Sequence, residues 1–314
     1  MTAEALHSAL DTLLSPRTPA GKVLVTGWFS FLDGEVTAGD ALAERAVSAA
    51  LDLLGIAHES AWSPVFAPGA LTLEEAVPEA YEQVLFVCGP VHGPQVAGLH
   101  RRYAACRRTA VGVSVVDEKE PAVTGFHRIL ARDRGGEGRF PDLAAAAPAQ
   151  PPPPLVGVAL THGQGEYGAL RRHDQVSDVL GAWLPTKDAA RVEADTRLAR
   201  DDWRLCGTAD QYLALLGRLD LVVTDRLHGM VLALRVGVPA LVVDPVRGGA
   251  KVAAQAGLLR WPAVVPCEGL SPEVLDRWWD WCLSSAGRAA ARRRALRLRG
   301  PDRAAAAAGR ALPF

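Results

Sequence analysis

The feature of this sequence that most constrains its fold is a repeated alternation of short apolar runs, glycine-bearing loops and amphipathic helical segments. The first unit runs from an apolar segment at 22–26, through a loop ending at Gly39, to a helix predicted over 41–54 with Asp40 as its cap. The alternation recurs at 83–88, 95–106 and 109–116. Such an order predicts an α/β fold in which helices cover both faces of a parallel sheet.

The alternation restarts after a low-complexity stretch, AAAAPAQPPPP, that lies between Asp142 and Pro154. Consecutive prolines favour an extended conformation, so we predict an interdomain linker here. Strands are then predicted at 155–160, 191–195, 220–224 and 240–243, and helices at 171–183, 209–216, 226–235 and 250–258. We therefore expect two Rossmann-like lobes with an interdomain cleft, in which ligands bind beyond the carboxyl ends of the strands.

The predicted domain boundaries follow from these signals. The N-terminal lobe covers 1–147, the proline-rich linker 148–154, the C-terminal lobe 155–284, and an Ala/Arg-rich helix 285–314. One continuous helix is predicted over 277–310. Beyond Trp281 no aromatic residue is interleaved with its arginines, and it has no base-reading motif, so no nucleic-acid partner is expected. Trp278, Trp279 and Trp281 could anchor this helix internally or join two subunits of a homo-oligomer.

Composition excludes several classes of protein. With 22% charged residues and a formal net charge of −1, nothing indicates a nucleic-acid partner or an acidic membrane surface. The five cysteines are scattered and form no CxxC pair, which favours buried thiols in a reducing compartment over a zinc site. No apolar run is long enough to span a bilayer and the N-terminus does not resemble a signal peptide, so a cytoplasmic location is expected.

The segment 221–243 carries the clearest sign of chemistry. An apolar strand is followed at once by a helix whose first turn holds Arg226 and His228. Cations there oppose the helix dipole by roughly 0.3–1 kcal/mol each, unless an anion neutralises them. The free N–H groups of a helix start bind phosphate or carboxylate, and Gly229 would let a ligand approach. The alternative is that Arg226 pairs with Asp225 or another carboxylate and that His228 is a satisfied buried histidine.

Other strand-end loops supply further candidates. Arg247, Gly248, Gly249 and Lys251 follow the next strand, and paired glycines before a helix suggest a backbone nest for an anion. An ordinary turn with surface cations is the alternative. His92 and His162 lie on strand-end loops and are further predicted cleft residues, with simple loop packing as their alternative.

Three motifs together resemble the C-terminal signature of the polysaccharide pyruvyltransferases. They are Arg226-Leu227-His228-Gly229, the Gly-Val-Pro at 237–239, and Lys251-Val252. The N-terminal loop ending in Gly39-Asp40 and the strand end at Cys88-Gly89 resemble elements of the same family.

The resemblance implies a GT-B-like bilobal fold and transfer of a pyruvyl group from phosphoenolpyruvate to a sugar hydroxyl. No cofactor or metal is expected, because the histidines and carboxylates form no HxxxH or DxD cluster, and assistance by a divalent ion stays open. Arg226 and His228 are then the catalytic residues, and His228 protonates the enol carbon. The implied substrate-binding residues are Arg226, Leu227, His228, Gly229, Arg247, Gly248, Gly249, Lys251, His162, Asp40 and His92. Asp40 or Glu35 would be the base for the acceptor.

The chain also departs from the family pattern, and two other functions stay open. An arginine often follows the first strand of the C-terminal lobe in that family, whereas this chain has Thr161-His162-Gly163 there. A nucleotide-sugar glycosyltransferase could place its diphosphate at the same helix start. A non-catalytic protein that binds phosphate or sugar is the other alternative.

Overall fold

Runs of valine, leucine and alanine form the central strands of two parallel sheets, one in each half of the chain. The computed structural model describes residues 4, 6, 8, 21–133, 141–161 and 166–299. The chain divides into two compact units, Met1–Gln150 and Pro151–Phe314. Each unit has its own parallel sheet and its own helices, so the predicted α/β class with two Rossmann-like units is confirmed. No helix within the described ranges is both long and apolar enough to cross a membrane.

The first unit is built on a six-stranded sheet with the order β2-β1-β3-β5-β4, in which β6 also pairs with β5. Its strands are β1 (Lys22–Thr26), β2 (His58–Ser60), β3 (Tyr81–Val87), β4 (Pro90–Val91), β5 (Arg107–Val115) and β6 (Arg128–Ala131). The sequence predicts the buried strands β1, β3 and β5. It does not predict β2, β4 and β6, which have only three, two and four residues.

Within residues 21–133 and 141–150, three helices accompany this sheet: α1 (Ala38–Leu53), α2 (Gly93–Arg102) and α3 (Pro121–Thr124). The prediction that Asp40 caps the first helix is wrong, because Thr37 is the cap and its hydroxyl accepts a hydrogen bond from the Asp40 N–H. Asp40 belongs to the first turn. Its Oδ2 accepts hydrogen bonds from the N–H and the hydroxyl of Thr37, at 3.2 and 2.7 Å. The two side chains form a reciprocal capping box.

The second unit has a five-stranded sheet with the order β11-β10-β9-β7-β8. Its strands are β7 (Leu155–Ala159), β8 (Ala190–Glu193), β9 (Leu221–Thr224), β10 (Ala240–Asp244) and β11 (Val264–Pro266). In the sheet, β7 lies between β8 and β9. The chain therefore moves to one side of β7 to form β8 and crosses to the other side to form β9, so the direction of the connections changes between β7 and β9. Parallel sheets open a ligand crevice at the carboxyl ends of such strands.

The helices of this unit are α4 (His173–Trp183), α5 (Ala209–Leu216), α6 (Leu227–Val236), α7 (Lys251–Leu259), α8 (Pro272–Leu283) and α9 (Ser285–Arg299). Helix α6 buries Met230, Ala233 and Leu234 in the core with the fully buried strands β9 and β10. Gly237 ends α6 in the left-handed region at φ 87°, a conformation that glycine adopts readily.

The C-terminal helix predicted over 277–310 is two helices in the structure. Ser284 separates α8 from α9 with an extended backbone, and its hydroxyl accepts a hydrogen bond from Gly287 N–H at 3.2 Å. The tryptophans of α8 pack within the unit. The ring centroids of Trp279 and Trp183 are 5.5 Å apart, and those of Trp281 and Trp261 are 5.4 Å apart. Internal anchoring is therefore the observed alternative, and residues 300–310 lie outside the described part.

Candidate functional site

A cavity of about 120 Å³ lies at the carboxyl ends of β7, β9 and β10 in the second unit. Four of the residues predicted from the sequence line it: Arg226, Leu227, His228 and Lys251. The same cavity is lined by Thr161, Tyr167, His173, Thr196, Asp225 and Asp244, none of which the sequence analysis selected as a ligand contact. The structure therefore brings the family motif together with polar residues from neighbouring strand ends.

Arg226 is held in place by three strand-end groups. It lies one residue before α6 with an extended backbone (φ −98°, ψ 135°), so the helix begins at Leu227 and not at the predicted 226. Its Nε donates a hydrogen bond to the carbonyl of Leu160 at 2.9 Å. Its Nη1 donates to Asp195 Oδ1 at 3.1 Å and to Thr196 Oγ1 at 2.8 Å. The alternative that Arg226 pairs with a carboxylate is therefore observed, with Asp195 and not Asp225 as the partner.

Asp195 serves two arginines at once. Its side chain is 2% exposed, and its Oδ2 also accepts a hydrogen bond from Arg197 Nε at 2.8 Å. Burial alone would raise the pKa of Asp195, but the hydrogen bonds from Arg197 and the charges of both arginines outweigh it and hold the pKa below its ordinary value. One carboxylate between two guanidinium groups leaves a net positive charge. The Nη2 of Arg226 takes no part in these hydrogen bonds.

The start of α6 presents free hydrogen-bond donors. The first intrahelical bond runs from Met230 N–H to the carbonyl of Arg226, at 3.2 Å. The N–H groups of Leu227, His228 and Gly229 consequently have no acceptor within the described residues. The side chain of His228 is exposed at this helix start, so the alternative of a buried, satisfied histidine is not observed. The helix dipole and these donors favour an anion at this point.

Gly229 has a packing role that differs from the prediction. It is buried, and a Cβ added to it would lie 2.4 Å from Thr224 Oγ1. The Thr224 hydroxyl donates to the carbonyl of Ala159 at 2.6 Å and accepts from Arg226 N–H at 2.9 Å. The missing side chain therefore lets the helix start lie directly on Thr224. This packing requires glycine at position 229. The N–H of Gly229 is the part of the residue that is available to a ligand.

Two buried polar residues meet at the crevice between β7 and β9. Asp225 Oδ1 accepts hydrogen bonds from the N–H and the hydroxyl of Thr161, at 2.8 and 2.9 Å. Asp225 Oδ2 and His173 Nδ1 are buried without a hydrogen-bond partner among the described residues. Burial raises the pKa of Asp225 and lowers the pKa of His173. Burial therefore shifts each side chain towards its neutral form.

The predicted glycine nest is wrong, because its N–H groups are already bonded. Gly248 N–H donates to Glu268 Oε1 at 2.7 Å, and Gly249 N–H donates to the carbonyl of Val246 at 2.9 Å. Both glycines have a left-handed φ, 80° and 81°. Arg247 is exposed, and Arg247, Gly248 and Gly249 do not line the cavity. These three residues form the ordinary turn that the sequence left as the alternative.

Lys251 follows the same turn and does line the cavity. Its Nζ lies 5.7 Å from the ring centroid of Tyr167, within the range of a cation–π contact. The buried carboxylate of Asp244 shapes the turn by accepting hydrogen bonds from Val246, Ala250 and Ala253 N–H groups at 3.1, 2.9 and 2.8 Å. Asp244 is thus fully occupied, while Lys251 contributes a positive charge to the cavity wall.

The remaining predicted residues lie in the first unit, apart from His162, which is outside the described residues. A cavity of about 560 Å³ at the ends of β1 and β3 is lined by Glu35, Asp40 and His92. Trp28 forms part of the same wall: its Nε1 donates to the carbonyl of Pro90 at 2.7 Å, and its ring centroid is 5.2 Å from that of His92. In the described part of the chain, no three His, Cys, Asp or Glu side chains are grouped closely enough to hold a metal ion.

Comparison with known families supports the motif-based prediction. The polysaccharide pyruvyl transferase family matches residues 169–245, from the segment before α4 to the turn after β10. This range contains His173, Asp195, Asp225, Arg226 and His228. The resemblance predicted from the sequence is therefore confirmed for this part of the second unit, and it indicates a transferase. No curated protein is significantly similar in sequence to the chain.

Several solved structures show weak overall similarity. The glycotransferase of kitacinnamycin is 15% identical, covers 95% of this chain and 100% of its own, and has a TM-score of 0.31. The UDP-GlcNAc 2-epimerase of Methanocaldococcus jannaschii is 10% identical, with coverages of 89% and 100% and a TM-score of 0.31. The ADP-bound heptosyltransferase of E. coli is 13% identical, with coverages of 85% and 99% and a TM-score of 0.28. At such scores the fold assignment rests on the two sheets themselves.

Proposed function

Because residues 169–245 match the polysaccharide pyruvyl transferase family, we propose that this protein transfers the pyruvyl group of phosphoenolpyruvate to a hydroxyl of a sugar or sugar-like acceptor and releases phosphate. The observation that carries the proposal is the cavity at the start of α6, where free N–H groups, Arg226, His228 and Lys251 converge. No cofactor or metal enters the proposal.

Phosphoenolpyruvate suits this cavity because it carries two anionic groups close together. The N–H groups of 227–229 and the dipole of α6 would bind one of them. Lys251 supplies a positive charge to the cavity wall, and the exposed His228 supplies a hydrogen-bonding imidazole. The rigid anchoring of Arg226 by Leu160, Asp195 and Thr196 fixes its guanidinium before the ligand arrives, which lowers the entropic cost of binding.

The chemistry requires an acid, an electrophilic carbon and a stabilised leaving group. A proton added to C3 of the enolpyruvyl group makes C2 electrophilic, and an acceptor hydroxyl then attacks C2. Phosphate leaves with the electron pair of its C–O bond, and C2 then either bonds a second acceptor oxygen to form a ketal or loses a proton from C3 to form an enol ether. Arg226 and Lys251 stabilise the negative charge of the departing phosphate. Fixed cations do this effectively because they need not reorganise as the charge develops.

The cavity of the first unit is the candidate acceptor site. Trp28 offers an aromatic face of the kind that packs against sugar rings, and His92 lies beside it. Asp40 is a poor base because its Oδ2 already accepts two hydrogen bonds from Thr37. His92 and the exposed Glu35 are better placed to accept a proton from an acceptor hydroxyl.

The proposal is tested by measuring phosphate release from phosphoenolpyruvate with a panel of sugars and polyols. We expect acceptor-dependent phosphate release by the wild-type protein. His228→Ala should reduce this phosphate release strongly. Because the side chain of His228 is exposed, the substitution should leave the fold intact. Arg247→Ala is the matched control, because this exposed cation lies outside the cavity. Nucleotide release from nucleotide sugars, with no phosphate release from phosphoenolpyruvate, would contradict the proposal.

A further inference from the structure

The floor of the second unit's cavity contains two polar atoms that lack hydrogen-bond partners among the described residues. They are Asp225 Oδ2 and His173 Nδ1. Both residues are 2% exposed, and both line the cavity. Buried polar atoms are nearly always hydrogen-bonded in folded proteins, because leaving them unpaired is costly. Because both residues line one cavity, a ligand bound there is the candidate partner for these two enclosed atoms.

The protonation state of Asp225 follows from its surroundings and from the ligand. The cavity attracts anions through Arg226, Lys251 and the start of α6. An ionised Asp225 beside an anionic ligand would be repelled, whereas a protonated one can donate a hydrogen bond from Oδ2. Burial favours the protonated form, since it raises the pKa of Asp225 against the opposing hydrogen bonds from Thr161.

The two candidate acids of the cavity differ in their exposure to water. His228 is exposed at the rim, where water competes for its proton and for its hydrogen bonds. Asp225 is enclosed, and its other oxygen is fixed by the N–H and hydroxyl of Thr161. A fixed, enclosed carboxylic acid loses little freedom when it transfers a proton.

We propose that Asp225, and not His228, is the catalytic acid of this cavity and donates its Oδ2 proton to C3 of the enolpyruvyl group of the donor. This inference rests on the proposed function and assigns one step within it. His228 is then a contact for the donor's anionic groups. His173 shares the floor with Asp225 and offers a neutral imidazole to the same ligand.

The step balances without an oxidant or a metal. The π electrons of the C2–C3 bond form a new C–H bond at C3 with the proton from Asp225, which becomes a carboxylate. The oxygen of the acceptor hydroxyl forms a bond to C2, and its proton passes to a base of the acceptor site or to the solvent. The C2–O bond to phosphate breaks, and phosphate keeps the electron pair. The oxocarbenium ion left at C2 then bonds a second acceptor hydroxyl, which loses its proton, to give a ketal, or it returns a C3 proton to the Asp225 carboxylate to give an enol ether. Asp225 regains a proton before the next turnover.

The experiment compares Asp225→Asn with Asp220→Asn in the full-length protein. Asn keeps an oxygen for the Thr161 donors but cannot supply an acidic proton. We expect its transfer rate to fall by about 10²–10⁴-fold, with the dissociation constant of phosphoenolpyruvate within about threefold of the wild-type value. Asp220 is a matched control at the opposite end of β9, where its Oδ2 accepts a hydrogen bond from Leu155 N–H at 2.8 Å. Asp220→Asn should transfer at the wild-type rate.

A pH profile separates an acid from a merely structural residue. The groups whose charges or hydrogen bonds act on Asp225 and on its neighbour His173 are Thr161, Arg171, Asp174, Arg226 and Lys251. The wild-type transfer rate should fall as the pH rises through the pKa of Asp225. Thr161→Val removes a hydrogen bond that lowers this pKa, so it should move the alkaline fall to higher pH. His228→Ala should weaken donor binding but keep the alkaline fall in place.

Each outcome decides the inference. The inference is overturned if Asp225→Asn transfers the pyruvyl group at a rate within fivefold of wild type. It is also overturned if the variant loses as much affinity for phosphoenolpyruvate as it loses transfer rate. Either result leaves the proposed function intact. If Asp225→Asn does not fold, an unmoved alkaline limb in Thr161→Val overturns it instead. A wild-type protein that releases no phosphate from phosphoenolpyruvate overturns the proposed function and this inference together.

Discussion

Nη1 of Arg226 donates a hydrogen bond to Oδ1 of Asp195 at 3.1 Å, and the two side chains are 14% and 2% exposed. Arg226 is therefore a fixed part of the cavity wall and does not swing freely toward a ligand. Asp195 also binds Arg197, so the cluster keeps one positive charge in excess. Arg226 is therefore both a structural residue and a source of the positive electrostatic potential that attracts an anion.

The first prediction concerns the stability of this pair. Asp195→Asn leaves the largely buried guanidinium of Arg226 without its counter-ion, and we expect a loss of about 2–4 kcal/mol in the free energy of unfolding. Urea denaturation measures it. Asp202→Asn is the control, because Asp202 pairs with the exposed Arg204 on the same loop and should leave stability unchanged within error. Equal losses in the two variants would contradict the buried-pair account.

The second prediction concerns the pH dependence of stability at Asp225. Burial raises the pKa of Asp225, so the folded state holds this proton more tightly than the unfolded state. Its contribution to stability is then fully present below the ordinary aspartate pKa of about 3.9 and is lost as the pH rises through the folded-state value. Asp225→Asn removes that dependence.

Denaturation at a series of pH values tests this. The difference in free energy of unfolding, Asp225→Asn minus wild type, should become more positive between pH 4 and pH 7. A difference that stays constant over this range would mean that Asp225 ionises in the folded protein as it does in water.

The third prediction concerns glycines at two helical positions. Gly229→Ala places a Cβ against Thr224 Oγ1, so it should destabilise the protein even though alanine favours helices. In Gly181→Ala the new Cβ meets no atom within 4 Å, and this substitution should stabilise the protein by up to about 1 kcal/mol. Thermal melting of both variants checks the opposite signs. A stabilised Gly229→Ala would show that α6 does not need to lie against Thr224.

The sequence predicts most of the fold because buried strands and amphipathic helices leave periodic patterns. Helix α5 has the predicted bounds 209–216, and β1 has the predicted bounds 22–26. The short edge strand β2, His-Glu-Ser, has no apolar pattern because little of it is buried. The break at Ser284 is likewise hidden, since a single serine in an Ala/Arg-rich stretch looks helical.

The site was predictable only where its residues are neighbours in sequence. Arg226 and His228 share one helix start, so their motif is visible in the chain. His173 and Thr196 reach the same cavity through the strand order β10-β9-β7-β8, which no local pattern encodes. The glycine nest failed for a related reason, since Glu268, the residue that occupies Gly248 N–H, is distant in sequence.

The fourth prediction separates the two cations of the turn after β10. Lys251→Ala removes a charge from the cavity wall, and we expect phosphoenolpyruvate to bind about 10- to 100-fold more weakly, as for the loss of a charge-assisted hydrogen bond. Arg247→Ala should bind the donor like wild type, because Arg247 lies outside the cavity. Isothermal titration calorimetry measures both. The reverse order would place the anion site on the glycine turn.

The most direct test of the central claim is a titration of the wild-type protein and His228→Ala with phosphoenolpyruvate, with Arg247→Ala as control. If the start of α6 is the donor site, wild type and Arg247→Ala bind phosphoenolpyruvate with the same affinity, while His228→Ala binds it at least about tenfold more weakly. A wild-type protein that binds no phosphoenolpyruvate at millimolar concentration, or a His228→Ala variant that binds it equally well, would contradict the account.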